Sequence, residues 1–159
     1  MPTDGRNPGG PTPPEDFRAQ KPRTGAPAGP APDFETALRR GVELFNHERF
    51  FEAHEIWEEA WRAFPGDPAY FLHGLIQIAA GFVKLQRGEP RGAALNLEKG
   101  RSKIERFAPS RHGLEVSALL RETSRWISLT EEMSRTGRIE YDATTLPRLR
   151  LEPPARSGG

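Results

Sequence analysis

Between Asp33 and Arg135, apolar side chains recur every three or four residues, and this period constrains the fold more than any other feature of the sequence. An α-helix has 3.6 residues per turn, so residues at this spacing share one face that can be buried. No stretch of the chain alternates apolar and polar residues as a half-buried strand does. The sequence therefore predicts an all-α fold: a single compact bundle of about five antiparallel helices with disordered N-terminal and C-terminal tails.

Turn and capping residues divide this segment into the predicted helices. Breaks occur at 46–49, 65–66, 88–90 and Pro109, and Gly137 caps the last helix. The third helix is apolar around most of its circumference, which predicts that it lies at the centre of the bundle. The five predicted helices cover about 34–45, 50–64, 69–87, 93–107 and 114–135.

The two ends of the chain differ from the middle. Residues 1–32 are rich in proline and glycine and contain a single aromatic residue, Phe17. This composition buries too little apolar surface to offset the entropy of ordering, so we predict a disordered tail before a helical domain at 33–137. Residues 138–159 are predicted to be mostly irregular, with leucines placed to form a short extended strap at 146–151.

Composition excludes several classes of protein. The formal net charge of +1 gives the chain as a whole no attraction to nucleic acid or an anionic membrane. The absence of cysteine rules out disulfides, thiolate zinc sites and cysteine nucleophiles. The most apolar run, 75–83, is too short to span a membrane, and residues 1–32 lack the apolar core of a signal peptide. We therefore expect a soluble, cytoplasmic protein.

The second predicted helix places two ionisable residues beside its tryptophans. Trp57 and Trp61 mark the buried face; at 100° per residue His54 falls inside that arc and Glu58 near its edge. His54 and Glu58 are one turn apart, close enough to touch. Because an unpaired buried charge is costly, we expect Glu58 to hydrogen-bond His54 or a polar group of the third helix.

The third helix carries a narrow polar stripe formed by His73, Gln77 and Lys84. One interpretation is that this stripe is the only solvated edge of an otherwise apolar helix. The other is that it faces His54 and Glu58, so that all five side chains line a small polar pocket. The sequence leaves both interpretations open.

The residues around this pair resemble those of a known family. The segments 41–46 and 50–58, followed by Trp61, are similar to the bacterial and plastid family named domain of unknown function 309, and the resemblance covers about 36–107. It implies an all-helical fold of about five helices, and no activity, because the family's name records none. The family signature positions in this sequence are Phe50, Ala53, His54, Glu58 and Trp61.

A weaker resemblance is to a tetratricopeptide repeat, a 34-residue helix pair. It accounts for small residues as packing positions, but not for His54 and Glu58. A true array also needs several stacked repeats, so the resemblance favours a tetratricopeptide-like hairpin only. The matching positions are Gly41, Leu44, Phe50, Ala53, Trp57, Ala60 and Pro65.

Catalysis or metal binding is one of two functional hypotheses. His54 and Glu58 could ligate a divalent metal with His73 completing the site, or transfer protons in a hydrolase-like enzyme. However, the sequence after His54 lacks the second histidine of the zinc-protease motif, and no phosphate loop or nucleophile elbow is present. No cofactor is evident.

The second hypothesis is a binding or interaction module, and the sequence favours it over an enzyme. The outer face of the second helix is acidic, and the region from the end of the third helix to the exit of the fourth is basic, so a protein partner or self-association is expected. Nucleic acid is less favoured because the basic region lacks interleaved aromatic residues that could stack bases. The acidic residues are Glu52, Glu55 and Glu59; the basic ones are Arg87, Arg91, Lys99, Arg101, Lys103, Arg106 and Arg111.

Overall fold

The computed structural model describes residues 33–153, and this part of the chain is an all-α fold, which confirms the predicted fold class. The expectations for residues 1–32 and for the last residues of the C-terminal tail lie outside the described part. Short 3-10 turns at Glu105–Phe107 and Ala143–Thr145 extend the helical structure. The α-helices of the described part are α1 Phe34–Asn46, α2 Phe50–Ala63, α3 Gly66–Gln86, α4 Pro90–Ile104 and α5 Val116–Thr136.

Local capping chemistry sets the ends of these helices. The Asp33 carboxylate accepts a hydrogen bond from the backbone N–H of Thr36 and so caps α1. Gly137 ends α5 with a left-handed φ of 77° and donates its N–H to the carbonyl of Met133. The third helix begins at Gly66, earlier than predicted, because the left-handed φ of 74° at Gly66 reverses the chain directly after Pro65.

The α3 helix lies at the centre of the bundle, as its all-round apolar surface predicts. It packs against α2 on one side and α4 on the other, while α1 packs on α2 and α5 on α4. Phe71, Phe82, Trp57 and Trp126 are fully buried around this centre. Within the described residues, no helix is long and apolar enough to cross a membrane.

Glycines allow the central helices to approach closely. A Cβ atom on Gly100 of α4 would lie 2.7 Å from the carbonyl oxygen of Gly74 and 2.9 Å from the backbone nitrogen of Ile78, both in α3. A Cβ atom on Gly81 would lie 2.7 Å from the side chain of Leu97. The contact between α3 and α4 is therefore a contact of backbones as well as side chains.

A small hairpin that the sequence did not predict joins α4 to α5. The strands β1 Ser110–Arg111 and β2 Leu114–Glu115 pair antiparallel, and Leu114 also forms a bridge with Leu151. Two-residue strands are too short to show alternation in a sequence, which is why the hairpin was missed. In the segment expected to form a strap, Leu149 is buried, and its backbone N–H and carbonyl both bond to the Asn46 amide.

We predict that Gly100→Ala lowers the free energy of unfolding by about 1–3 kcal/mol, because the added methyl group would clash with the backbone of α3 at Gly74. Gly92→Ala in the same helix is the matched control: its Cβ would meet only the flexible end of Lys84. That change should be neutral or stabilise by up to about 1 kcal/mol through helix propensity. Urea denaturation measures both, and equal effects would contradict the close contact.

Candidate functional site

The positions that the resemblance predicts as the family signature lie along α2, on and beside its buried face. Ala53 and Trp57 are fully buried and Trp61 nearly so, which fixes the rotation of the helix against α1 and α3. His54 and Glu58 lie at the edge of this face and are partly buried. Both residues therefore lie beside the tryptophans, as the helical period predicts, and both are partly exposed to solvent.

Trp57 anchors this arrangement through an unusually close contact with α1. A Cβ atom on Gly41 would lie 2.0 Å from the indole Nε1, so the ring occupies the space that any side chain would need. The same Nε1 donates a hydrogen bond to the carbonyl of Leu38 at 3.3 Å. The orientation of the α2 face thus depends on Gly41 as well as on the signature residues.

The imidazole of His54 is in contact with the aromatic ring of a neighbouring residue, Phe51. The ring of Phe51 stacks on the imidazole with a centroid distance of 5.9 Å and an interplanar angle of 14°. The Phe51 side chain remains 49 % exposed. Burial lowers the pKa of His54 to about 4, because the charged imidazolium loses solvation there. His54 is consequently neutral at physiological pH.

Glu58 forms its ion pair within α2 rather than with the third helix. Its carboxylate lies 3.7 Å from the guanidinium of Arg62, and the side chain is only 15 % exposed. Burial raises the pKa of Glu58, Arg62 acts in the opposite direction, and the neighbouring Glu55 raises the pKa further. The charge of Glu58 is therefore held in a place that does not solvate it well.

The polar stripe of α3 divides into two environments. His73 and Gln77 are buried, which contradicts the interpretation that these two residues form a solvated edge of α3. His73 stacks on Trp61 of α2 at 5.3 Å. Lys84, about 16 Å further along α3, instead pairs with Glu89 at the start of α4, with 3.4 Å between the charged groups. The structure brings His73 to the signature tryptophan, while Lys84 lies at the opposite end.

The geometry gives the metal hypothesis no support. Within the described part of the chain, no group of three histidine, aspartate or glutamate side chains could hold a metal ion. His73 faces Trp61, and Glu58 pairs with Arg62. Metal binding by His54, Glu58 and His73 therefore stays a prediction.

Sequence reasoning missed two exposed aromatic side chains, Phe51 and Tyr70. Helical periodicity places Phe51 next to the buried arc but does not say whether a neighbouring helix covers it. Tyr70 lies on α3, and its contact with Arg106 joins residues 36 positions apart. Only the packing of α3 on α4 reveals that contact.

The fold and these contacts define a small all-helical domain whose polar residues lie against buried tryptophans. Residues 38–96 match the family model described as Domain of unknown function (DUF309), which confirms the predicted family over that segment. The matched segment contains α2, α3 and most of α1, and it ends within α4. No curated protein matches the chain. The family description assigns no activity, so function has to be argued from the site.

We predict that Glu58→Gln leaves the free energy of unfolding at pH 7 unchanged or raises it slightly. A raised carboxyl pKa means that the folded state favours the protonated form, so ionisation costs stability as the pH rises through that pKa. The difference between variant and wild type should shrink as the pH falls below the ordinary carboxyl pKa of 4.5. Glu59→Gln, which removes the same charge at the exposed neighbouring position, is the matched control. A clear loss of stability in the Glu58 variant would instead indicate a structural hydrogen bond.

His54 should make the fold less stable in mild acid. The unfolded chain binds a proton at this histidine below pH 6.5, whereas the folded chain resists protonation until about pH 4. Stability is therefore lost as the pH falls between these values, by up to about 3 kcal/mol for a shift of this size. Urea titrations at several pH values should show that His54→Gln removes this component. The exposed His47→Gln variant should retain it, and a wild-type curve in both variants would refute the prediction.

Proposed function

We propose that this chain is a protein-interaction module that docks its partner on the outer side of α2. We call this surface the α2 face and define it by Phe51, His54, Glu55, Glu58 and Arg62, which lie within about 100° of one another around the helix axis. The observation that carries the proposal is the Phe51 ring, which is half exposed and is stacked on a neutral imidazole.

The stacked position of Phe51 favours recognition over accidental exposure. A single exposed apolar residue is ordinary on a protein surface. Here, however, the His54 ring supports the phenyl ring, so binding would immobilise a side chain whose orientation is already limited. Aromatic residues, phenylalanine among them, are also enriched in protein interfaces relative to the rest of the surface. Phe51 therefore suits the role of a central contact.

The charges around Phe51 indicate the chemistry of the partner. Glu55 and Glu59 are exposed, and burial raises the pKa of Glu58, so another positive charge nearby would stabilise its ionised form. The guanidinium of Arg62 lies 3.7 Å from the Glu58 carboxylate, and the Arg62 side chain is itself partly exposed to solvent. The best complement is a protein segment with lysine or arginine residues around an apolar side chain.

The acid/base alternative has less support from the same geometry. A histidine with a pKa of about 4 is neutral at pH 7 and is a weak base, so it is poorly matched to proton transfer at that pH. The carboxylate of Glu58 is meanwhile engaged with Arg62. A neutral histidine and a carboxylate that is already paired with an arginine are both compatible with a recognition surface.

Site-specific photo-crosslinking tests the proposal. A photoreactive phenylalanine analogue at Phe51 is expected to capture a protein segment in cells that naturally express this chain, and mass spectrometry identifies the segment. The same analogue at Leu95, which is 56 % exposed on α4, is the matched control. We expect a crosslink at position 51 and none at position 95. The captured segment should combine basic residues with an apolar side chain.

A charge-reversal variant decides whether the α2 face itself is recognised. Glu55→Lys, combined with Glu59→Lys at the acidic position that borders the α2 face, should abolish the crosslink from position 51, because the acidic charges near Phe51 are reversed. Both positions are exposed, so the fold should tolerate the changes, and a thermal melt checks this. Capture that persists after charge reversal, or equal capture at Leu95, would overturn the proposal.

A further inference from the structure

Two arginines at the exit of α4 are held against aromatic rings. The guanidinium of Arg106 lies 4.7 Å from the ring centroid of Tyr70 and 5.7 Å from that of Phe107. The guanidinium of Arg111, on β1, lies 4.6 Å from the same Phe107 ring. Two positive charges therefore share one aromatic neighbour. Attraction between a cation and the face of an aromatic ring stabilises such positions.

Neither of these arginines is neutralised by the described part of the chain. No aspartate or glutamate oxygen within residues 33–153 lies within 4.0 Å of Arg106 or Arg111. In contrast, Arg39 and Arg101 each pair with a glutamate on their own helix. Attraction to an aromatic ring uses the charge of the guanidinium and not its N–H donors, so these donors remain for an anion such as phosphate. The two groups are thus positioned to bind an external anion.

These arginines continue a line of positive charge along α4. Lys99 and Lys103 are one turn apart, and Arg106 follows in the 3-10 turn that extends the helix, so the three share one side. The stem of Lys103 packs at Gly74 of α3, one turn after Tyr70. The basic ridge, as we define it, consists of Lys99, Arg106 and Arg111. The exposed Tyr70 lies at its end.

We infer that the basic ridge binds single-stranded nucleic acid, with its cations on successive phosphates and Tyr70 with Arg106 as a platform for one base. Tyr70 is 37 % exposed, and the guanidinium of Arg106, which lies over one face of its ring, offers a second flat surface. Bases stack on aromatic rings and on guanidinium planes, whereas the carboxylates of an acidic peptide need only the cations. The combination therefore favours nucleic acid over an acidic protein segment. This inference does not depend on the proposed role of the α2 face.

Fluorescence anisotropy of the full chain with labelled oligouridine and oligothymidine of about 12 nucleotides tests the inference. Binding should weaken between about 50 and 200 mM salt, since displaced counterions drive the association. Tighter binding of either oligonucleotide supports the inference, and the ratio of the two affinities shows whether the ribose hydroxyl is contacted. Oligoglutamate with the same number of charges serves as the competitor of the other class and should bind much more weakly.

Paired variants separate local recognition from general charge. Arg106→Gln with Arg111→Gln should lower the affinity at least about 10-fold and reduce the salt slope by about 1.4, as expected for two lost phosphate contacts. Arg87→Gln with Arg91→Gln removes the same charge at the far end of α3, where both residues are exposed, and should have little effect.

Tyr70 variants test the stacking platform. Tyr70→Ala should weaken binding about 5- to 100-fold with an unchanged salt slope, the range for loss of one stacked base. Tyr70→Phe keeps the ring and should retain the affinity. Circular dichroism checks that each variant is folded. No measurable binding at low salt, equal losses in the two arginine pairs, or equally tight binding of oligoglutamate would overturn the inference.

Discussion

The close packing of α3 against α4 at Gly74 and Gly100 is the constraint on which the rest of the structure depends. Because these backbones meet without intervening side chains, the two helices have a fixed relative position along their length. That position sets Tyr70 of α3 beside Arg106 at the exit of α4. It also leaves an adjacent side of α3 for α2, where His73 meets Trp61. A local clash at one glycine would therefore disturb both candidate surfaces.

The α2 face is exposed because the tryptophan side of α2 is buried against α1 and α3 and fixes the rotation of the helix. Trp57 fills the space above Gly41, and this contact holds the helix with its tryptophans inward. The side chains next in rotation then stand at the boundary between core and solvent, where His54 loses its charge and Glu58 keeps a poorly solvated one. The unusual electrostatics at the signature positions follow from this boundary position, with no need for a catalytic explanation.

Much of the fold could be predicted from the sequence, because helical periodicity, the Asp33 cap and the Gly137 cap are local signals. The burial of the tryptophan face of α2 follows from the same period. What could not be predicted are the contacts between helices. Helical spacing allows Glu58 to pair with Arg62 one turn away in α2, but whether Glu58 pairs there or with α3 depends on how α2 packs on α3. The stacking of Arg106 on Tyr70 depends on helix register, which no window of sequence records.

The formal net charge of +1 conceals an uneven distribution of charge. The acidic residues of the α2 face and the cations of the basic ridge lie on α2 and on the exit of α4, the two helices that flank α3. At physiological salt, electrostatic attraction extends about 8 Å, less than the width of a helix, so each surface acts on its own surroundings. A chain that is nearly neutral overall can thus present one surface suited to basic partners and another suited to phosphates. Net charge excludes strong attraction by the whole molecule, but it does not exclude recognition at a surface that packing has assembled from separate helices.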